Sequence, residues 1–343
     1  MSSVHELSQR GQVRWLIKIA SKAVPQYGLR EFRLQLVHHF LNTVFRVDAQ
    51  GETTNNQVDR YALRIHRLGY QDRNAVESEL KWLRAMRGET RLSVPEPIAT
   101  SVGELVSHAR DESLHGDRLC VLFRWLDGRR PTMKVGPEYY CQLGRLLAIL
   151  HRHSERFRPD ADFVRKRWDL QGVCGAAVGV PPDVGVATIP KHHRTLIEEV
   201  IAVVEKAMNT LGEDRRVFGL IHSDVSRQNV LIHNGELRVI DFDGCGWGHY
   251  LYDIAVPMAE IPTSGRRTNL IAALLAGYRS ERQLSDEEVN QINAFVCARL
   301  MVHAIWFSFH YEEPMFGRRD PLFLDRQFAR LETSLRGAAD HET

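Results

Sequence analysis

Leu220-Ile221-His222-Ser223-Asp224-Val225-Ser226-Arg227-Gln228-Asn229-Val230-Leu231-Ile232-His233-Asn234-Gly235-Glu236-Leu237-Arg238-Val239-Ile240-Asp241-Phe242-Asp243 is the stretch on which the reading of this chain turns. Asn234-Gly235 lies between two apolar-rich runs, the strongest short-range signal for a two-residue hairpin, because both residues tolerate positive φ. Folding there pairs His233 with Glu236 and, counting outward, Asn229 with Ile240. Asn229 and Asp241 therefore become neighbours at the open end of the hairpin. An amide oxygen and a carboxylate brought together in this way suit a hard cation such as Mg²⁺, which takes oxygen ligands and keeps waters that a phosphate can replace.

Asp224 stands five residues before Asn229, on the loop that leads into the hairpin. From there its carboxylate can orient a hydroxyl and accept its proton beside a metal-bound phosphate. His222 reads as a residue that holds the loop by packing or hydrogen bonding. Taken singly, each feature has an ordinary explanation: an Asn-Gly hairpin is usually only a hairpin, and a lone loop Asp is usually a cap. The joint spacing H-x-D-x-x-x-x-N followed by D-F-D parallels the catalytic and metal loops of protein kinases, and points to phosphoryl transfer.

Outside this stretch the composition is that of an ordinary globular protein. The 343 residues are 43% hydrophobic and 26% charged, and the length suits two lobes. Lys and Arg number 45 against 43 Asp and Glu, so no global field draws the chain to nucleic acid or to an anionic membrane, and neither is expected as a partner. Five widely spaced cysteines form no C-x-x-C pair, which argues against a disulfide framework and a zinc site and for a reducing, cytoplasmic home. The first ten residues hold no apolar stretch of the signal-peptide kind. The longest apolar-rich run, Leu270-Ile271-Ala272-Ala273-Leu274-Leu275-Ala276, is far shorter than the ~20 residues of a membrane span.

Residues 32–125 read mainly as strands, interrupted by one helix over about residues 73–86 with Val76, Leu80 and Leu83 on its apolar face and Glu79 beside them. Beyond Gly128 long helices take over, first near residues 139–151, then 196–208 and 285–309. Residues 157–190, rich in Gly, Pro and Val, read as irregular, and Ser285-Asp286-Glu287-Glu288 reads as a capping box. A β-rich first third followed by helices predicts an α+β, bilobal chain with a small sheet lobe and a larger helical one.

Three further segments carry a family resemblance. Gly246-Trp247-Gly248-His249-Tyr250-Leu251-Tyr252-Asp253-Ile254-Ala255 and Leu143-Gly144-Arg145-Leu146-Leu147-Ala148-Ile149-Leu150-His151 are similar to the G-x-G-x-x-x-x-D-[LI]-A and L-G-x-L-L-A-x-L-H motifs of the aminoglycoside phosphotransferase and choline kinase superfamily. Tyr61-Ala62-Leu63-Arg64-Ile65-His66-Arg67, with Ser78-Glu79-Leu80 and Val94-Pro95-Glu96-Pro97, resembles the branch of type II homoserine kinases and stress-response Ser/Thr kinases. The resemblance implies a protein-kinase-like fold, with residues 1–122 as a nucleotide-binding lobe of a five-stranded antiparallel sheet plus one helix. Residues 123–343 would form the helical catalytic and substrate lobe.

It also implies ATP as co-substrate and Mg²⁺ as metal. On this reading Asp224 is the catalytic, hydroxyl-orienting group, Asn229 and Asp241 are the metal ligands, and Asp253 braces the catalytic loop. Arg64 takes the place of the kinase strand lysine on the nucleotide phosphates, with Arg46 and Arg67 as competitors, and Glu79 is its helix partner. A guanidinium serves both phosphate and carboxylate through its fork. The phosphate-covering turn, Val37-His38-His39-Phe40-Leu41-Asn42-Thr43, lacks the glycines usual there, and leaves Asn42 or Thr43 as a phosphate contact or the turn as a plain connection. Adenine is expected on the backbone of Phe123-Arg124-Trp125, with Phe123 and Trp125 lining its site. Asp243 is either a second metal ligand or a loop hydrogen-bonder.

The acceptor is expected near Trp247, Tyr250, Glu260, Arg299 and Trp306, although helix packing alone explains aromatics at this spacing. A cationic aminoglycoside calls for an acidic pocket, and Glu260, Glu312 and Glu313 are the visible candidates. The function expected is therefore ATP- and Mg²⁺-dependent phosphorylation of a hydroxyl on an amino alcohol, a homoserine-like compound, a sugar or an aminoglycoside. A protein Ser/Thr kinase and a non-catalytic nucleotide-binding protein are the alternatives, and both a monomer and a dimer fit.

Overall fold

A computed structural model of the chain describes residues 7–50, 58–111, 117–262, 265–311 and 322–339. The chain divides into two compact units, the first made of Met1–Gly88, Val94–Asp127 and Pro159–Val164, the second of Glu89–Ser93, Gly128–Arg158 and Arg165–Thr343.

In the first unit, helix α1 (Gln9–Ala23) starts at Ser8, whose side chain accepts the Gly11 N–H, and buries Trp15, Leu16, Ile19, Ala20 and Ala23 along one stripe. Strands β1 (Phe32–His39), β2 (Thr43–Gln50) and β3 (Val58–Ile65) follow as an antiparallel meander. Alternation drives β2, where Phe45, Val47 and Ala49 face the core and their neighbours do not. Helix α2 (Arg73–Glu89) buries Val76, Leu80, Leu83 and Met86, and Glu79 sits on that same face. Strands β4 (Pro97–Ile98), β5 (Ser107–Ala109) and β6 (Arg118–Arg124) complete the sheet in the order β1-β2-β3-β6-β4, with β5 also paired to β6. One core joins α1 to the sheet through Trp15, Ile19, Phe45, Val47, Leu63, Ile65 and Leu122.

Two expectations need correction here. The sheet has six strands, not five, because β4 and β5 are two and three residues long, too short for alternation to be read. The unit also carries a helix before the sheet, α1, whose stripe of Leu16, Ile19 and Ala23 has helical spacing.

The second unit begins its helices with α3 (Pro137–Arg156). Residues expected to be irregular instead form short elements: β7 (Lys166–Arg167), α4 (Leu170–Val173) and α5 (Pro182–Thr188). Then come α6 (Arg194–Leu211), β8 (Phe218–Ile221), β9 (Val230–His233), β10 (Glu236–Val239), β11 (Gly246–His249), α7 (Tyr250–Glu260), α8 (Arg267–Arg279), α9 (Asp286–Phe309) and α10 (Phe323–Ala339). β7, β11 and β8 form one small sheet, and β9 with β10 the predicted hairpin, with Glu236 opposite His233. Asn234 and Gly235 take φ of 51° and 83°, as a two-residue turn requires.

Helices α3 and α8 approach so closely that a Cβ on Gly144 would lie 2.0 Å from the Leu274 carbonyl oxygen, and one on Gly277 2.0 Å from that of Cys141. Helix α9 opens on the predicted capping box, Ser285 with Glu288, and packs against α6, α7 and α10. Its most apolar window has a mean hydropathy of 1.5, so by length and composition it passes the test for a membrane span that the sequence reading found unmet. That window is 72% buried within the protein, the environment of a core helix. None of the five cysteines is in a disulfide.

Candidate active site

The residues between β8 and β9 are held from below by one buried carboxylate. Asp253, on α7, accepts the backbone N–H of His222 at 2.8 Å and that of Ser223 at 2.6 Å, and Ser223 adopts a positive φ of 72°. His151 of α3 lies 3.2 Å from the same carboxylate through Nε2 and 2.9 Å from the Tyr278 hydroxyl through Nδ1. Burial lowers the His151 pKa, so the ring is neutral. With a carboxylate at Nε2, that nitrogen carries the proton and Nδ1 accepts from Tyr278, whose oxygen accepts in turn from Arg282 at 3.0 Å. Every member of this chain is satisfied.

His222 ties the two halves of the motif together. Its Nδ1 accepts the Asp224 N–H at 3.2 Å and its Nε2 donates to the Ile240 carbonyl at 3.1 Å, while the ring packs on Phe242 with centroids 4.4 Å apart. One imidazole thus fixes the backbone at Asp224 and at the residue preceding Asp241.

Asp224 is engaged at both carboxylate oxygens. Oδ2 accepts from Asn229 Nδ2 at 2.8 Å, and that same amide nitrogen reaches the Asp224 carbonyl at 3.0 Å. Oδ1 accepts from Arg299 of α9, which also reaches the Ser223 carbonyl at 3.5 Å. Burial pulls the Arg299 pKa down, but Asp224 and Tyr252 together raise it by more, so the guanidinium stays protonated. The Asn229 carbonyl accepts the Ile240 N–H at 2.9 Å, which sets Asn229 and Asp241 at the hairpin's open end as the spacing predicts. Asp241 has φ 68° and ψ 64° and is exposed. With both amide hydrogens of Asn229 spent on Asp224, its amide offers Oδ1, and Asp241 adds a carboxylate. This all-oxygen donor set fits a hard divalent cation. Asp243 is buried, and its carbonyl, like that of Cys245, takes the Arg165 guanidinium, at 2.7 and 2.8 Å.

In the first unit Arg64 and Glu79 form a bidentate pair with both contacts at 2.9 Å. Arg64 Nε lies 3.2 Å from His66 Nε2, and the guanidinium carbon sits 5.1 Å from the centre of the Phe123 ring. Arg46, the other candidate named on β2, pairs with Asp48 at 2.6 Å. Phe123 is buried beneath Arg64 on β6. The backbone expected to meet adenine is partly spoken for: the Arg124 and Trp125 N–H groups donate to the Glu96 and Arg60 carbonyls at 2.9 and 3.0 Å. Trp125 is half-buried. Asn42 accepts the Arg67 N–H at 3.2 Å through Oδ1, which ties the β1–β2 turn to the chain just beyond β3.

The acceptor set changes more. Tyr250 is a core residue: its hydroxyl reaches the Arg215 carbonyl at 3.2 Å, its ring stacks on His151 at 4.6 Å, and burial raises its pKa to about 12. Its place at the first position of α7, next to the buried β11, explains the reassignment. Glu260 accepts the Arg227 N–H at 3.0 Å and pairs with its guanidinium, so it anchors the loop between β8 and β9. Glu312 and Glu313 lie outside the described residues. Trp247 is half-buried on β11, with its carbonyl accepting from Trp168 at 2.7 Å, and Trp306 is half-buried against His310 and Phe307. Arg299, expected near the acceptor, is brought to Asp224. His151 and Arg165 escaped the reading as site residues; His151 stands at the end of the quoted Leu143–His151 motif, whereas nothing local marks Arg165.

A profile of the phosphotransferase enzyme family matches residues 34–287. A homoserine kinase of Polaromonas naphthalenivorans is 26% identical over 289 residues, covering 80% of this chain and 85% of that protein. Among solved structures, a microcompartment-associated aminopropanol kinase matches with a TM-score of 0.77 at 24% identity, over 95% of this chain and 97% of its own. An amicoumacin kinase in complex with AMP-PNP, Ca²⁺ and Ami matches with a TM-score of 0.74 at 18% identity, over 95% and 93%. The kinase-like α+β fold is shared with both.

Proposed function

The chain belongs to the phosphotransferase enzyme family, and from that premise we propose that it transfers the γ-phosphoryl group of ATP to a hydroxyl of a small molecule. The observation that carries this reading is the Asp224 carboxylate, locked by Asn229 at the mouth of a hairpin that also presents Asp241. The acceptor oxygen forms its bond to the γ-phosphorus as the bond from that phosphorus to the β,γ-bridging oxygen breaks. ADP leaves with the bridging oxygen, and the hydroxyl proton passes to Asp224. In a loose transition state the carboxylate mainly orients the hydroxyl and takes its proton late. Asn229 and Asp241 are the residues that would hold Mg²⁺, which when bound neutralises phosphate charge. Arg64, paired to Glu79, is the phosphate contact supplied by the first unit, and Phe123 and Trp125 are its adenine-side residues.

An amino alcohol is the acceptor class we favour. Homoserine and aminopropanol, the compounds in the names of two similar proteins, each carry a hydroxyl and an amine. A polycationic aminoglycoside is disfavoured, because Glu260 is already committed to Arg227. Five cysteines without a disulfide suit a reducing, cytoplasmic setting.

The test is ADP release by the purified protein with ATP and Mg²⁺, against homoserine, aminopropanol, choline, a sugar, an aminoglycoside and a protein substrate. Turnover is expected with a small amino alcohol. Absence of ADP release with every acceptor, in a protein that still binds AMP-PNP by calorimetry, overturns the reading. Turnover confined to the protein substrate overturns the small-molecule assignment.

A further inference from the structure

The contact least accounted for by the reading above is the one that reaches Asp224 from farthest away in sequence. Arg299 lies 75 residues along the chain, on the central helix of the second unit. Its side chain is 8% exposed, whereas that of Asp224 is 40% exposed. A buried guanidinium is costly unless its charge is met and its fork is used, and here both conditions are fulfilled by the catalytic loop: the Asp224 carboxylate and the Ser223 carbonyl. From the other side Asn229 holds the second carboxylate oxygen.

The two donors act differently. Asn229 comes from the same loop and moves with it. Arg299 comes from α9, a helix packed between α6, α7 and α10, and refers the carboxylate to the core of the unit. A carboxylate with one donor can still swing about its Cα–Cβ and Cβ–Cγ bonds; with a donor on each oxygen, from two elements, its plane is set. Tyr252 of α7 is also buried beside Arg299, and His303 lies one turn further along α9, itself facing Arg330 of α10. Burial and the two neighbouring guanidiniums keep His303 neutral, so it adds no further positive charge beside Arg299.

We infer that Arg299 is a positioning residue for phosphoryl transfer: it fixes the plane and direction of the Asp224 carboxylate so that its remaining lone pairs face the acceptor hydroxyl. This rests on the phosphotransfer reading of the same site. The inference replaces the role of an acceptor-binding residue, which would require the guanidinium to be available to a ligand.

Four variants and one small molecule test it. Arg299→Ala is expected to lower kcat about 100-fold, the size of effect seen when one preorganised donor is lost, with the KM for ATP changed less than about twofold. Arg299→Lys keeps the charge without the fork and is expected to fall between Arg299→Ala and the wild type. Guanidinium ion at millimolar concentration is expected to restore about tenfold of the lost rate to Arg299→Ala and none to Asp224→Asn. An acceptor KM that rises while kcat holds would make Arg299 a substrate-binding residue and overturn the proposal, as would a rate unchanged in Arg299→Ala. A crystal structure of Arg299→Met with AMP-PNP reads the same claim without turnover. Asp224 is expected to rotate out of the plane set by Asn229, and an unmoved carboxylate overturns the proposal. A wild type inactive on every acceptor overturns the phosphotransfer reading itself, a result separate from either of these.

Discussion

Two arginine–carboxylate pairs, one in each unit, use the same chemistry for different ends. In the first, Arg64 and Glu79 are sealed: their side chains are 6% and 1% exposed, both carboxylate oxygens are taken, and His66 and Phe123 close in around the guanidinium. In the second, Arg299 is as deeply buried, but its partner Asp224 keeps 40% of its side chain open. A sealed pair has nowhere to discharge the charge that remains when one member is removed. A half-open pair has solvent on one side, and its open member is available to a ligand. Closure therefore makes the Arg64–Glu79 pair the more costly one to break, and the open carboxylate leaves the Asp224–Arg299 pair accessible from solvent.

The comparison can be broken by substitution. Asp224→Asn keeps the shape but removes the charge and one of the two acceptor oxygens, and is expected to cut kcat about 1,000-fold with a smaller fall in thermal midpoint than Glu79→Ala, because Asp224 is half-open. Coupled measurement of ADP release and melting checks both halves, and a large fall in melting temperature would erase the distinction. Glu79→Ala is expected to cost stability first, about 3–5 kcal/mol in urea unfolding, because Arg64 is left buried without its carboxylate. A small loss there would mean that Arg64 is solvated as readily as Asp224.

Acid should sharpen the contrast from a third direction. His151, His249 and His303, all in the second unit, have pKa values lowered first by burial, so they fold neutral. Below their ordinary value of about 6.5 the unfolded chain takes up protons that the folded one refuses, and stability falls with falling pH. Each such group contributes up to about 1.4 kcal/mol per pH unit between that value and its folded pKa. Urea midpoints measured from pH 7.5 to 5.5 check this, and a flat profile would show that the three rings protonate in place.

Much of this was legible in the chain because the signals are local. The Asn234-Gly235 turn specifies its own register, and the register places Asn229 beside the segment of Asp241. Val76, Glu79, Leu80 and Leu83 fall on one helical face whatever they pack against. What stayed hidden depends on distant partners. Arg299 looks like any polar residue on a helix until folding brings it 75 residues back to Asp224. Tyr250 has the look of a pocket aromatic and is a core residue because His151, far upstream, stacks on it. Helix α9 has the hydropathy of a membrane span because it is surrounded by other helices, an environment that composition alone does not distinguish from lipid.

The membership of Pro159–Val164 in the first unit bears on the order in which a ribosome can finish the parts of this protein. Asp162 pairs with Lys81 of α2 at 2.8 Å and the Val164 N–H donates to the Ser78 hydroxyl at 2.9 Å, yet these residues are translated after the whole of α3. The nascent first unit can collapse around its sheet early but receives its last piece only once the second unit has begun to emerge, so a gene cut cleanly after residue 127 would encode an unfinished module.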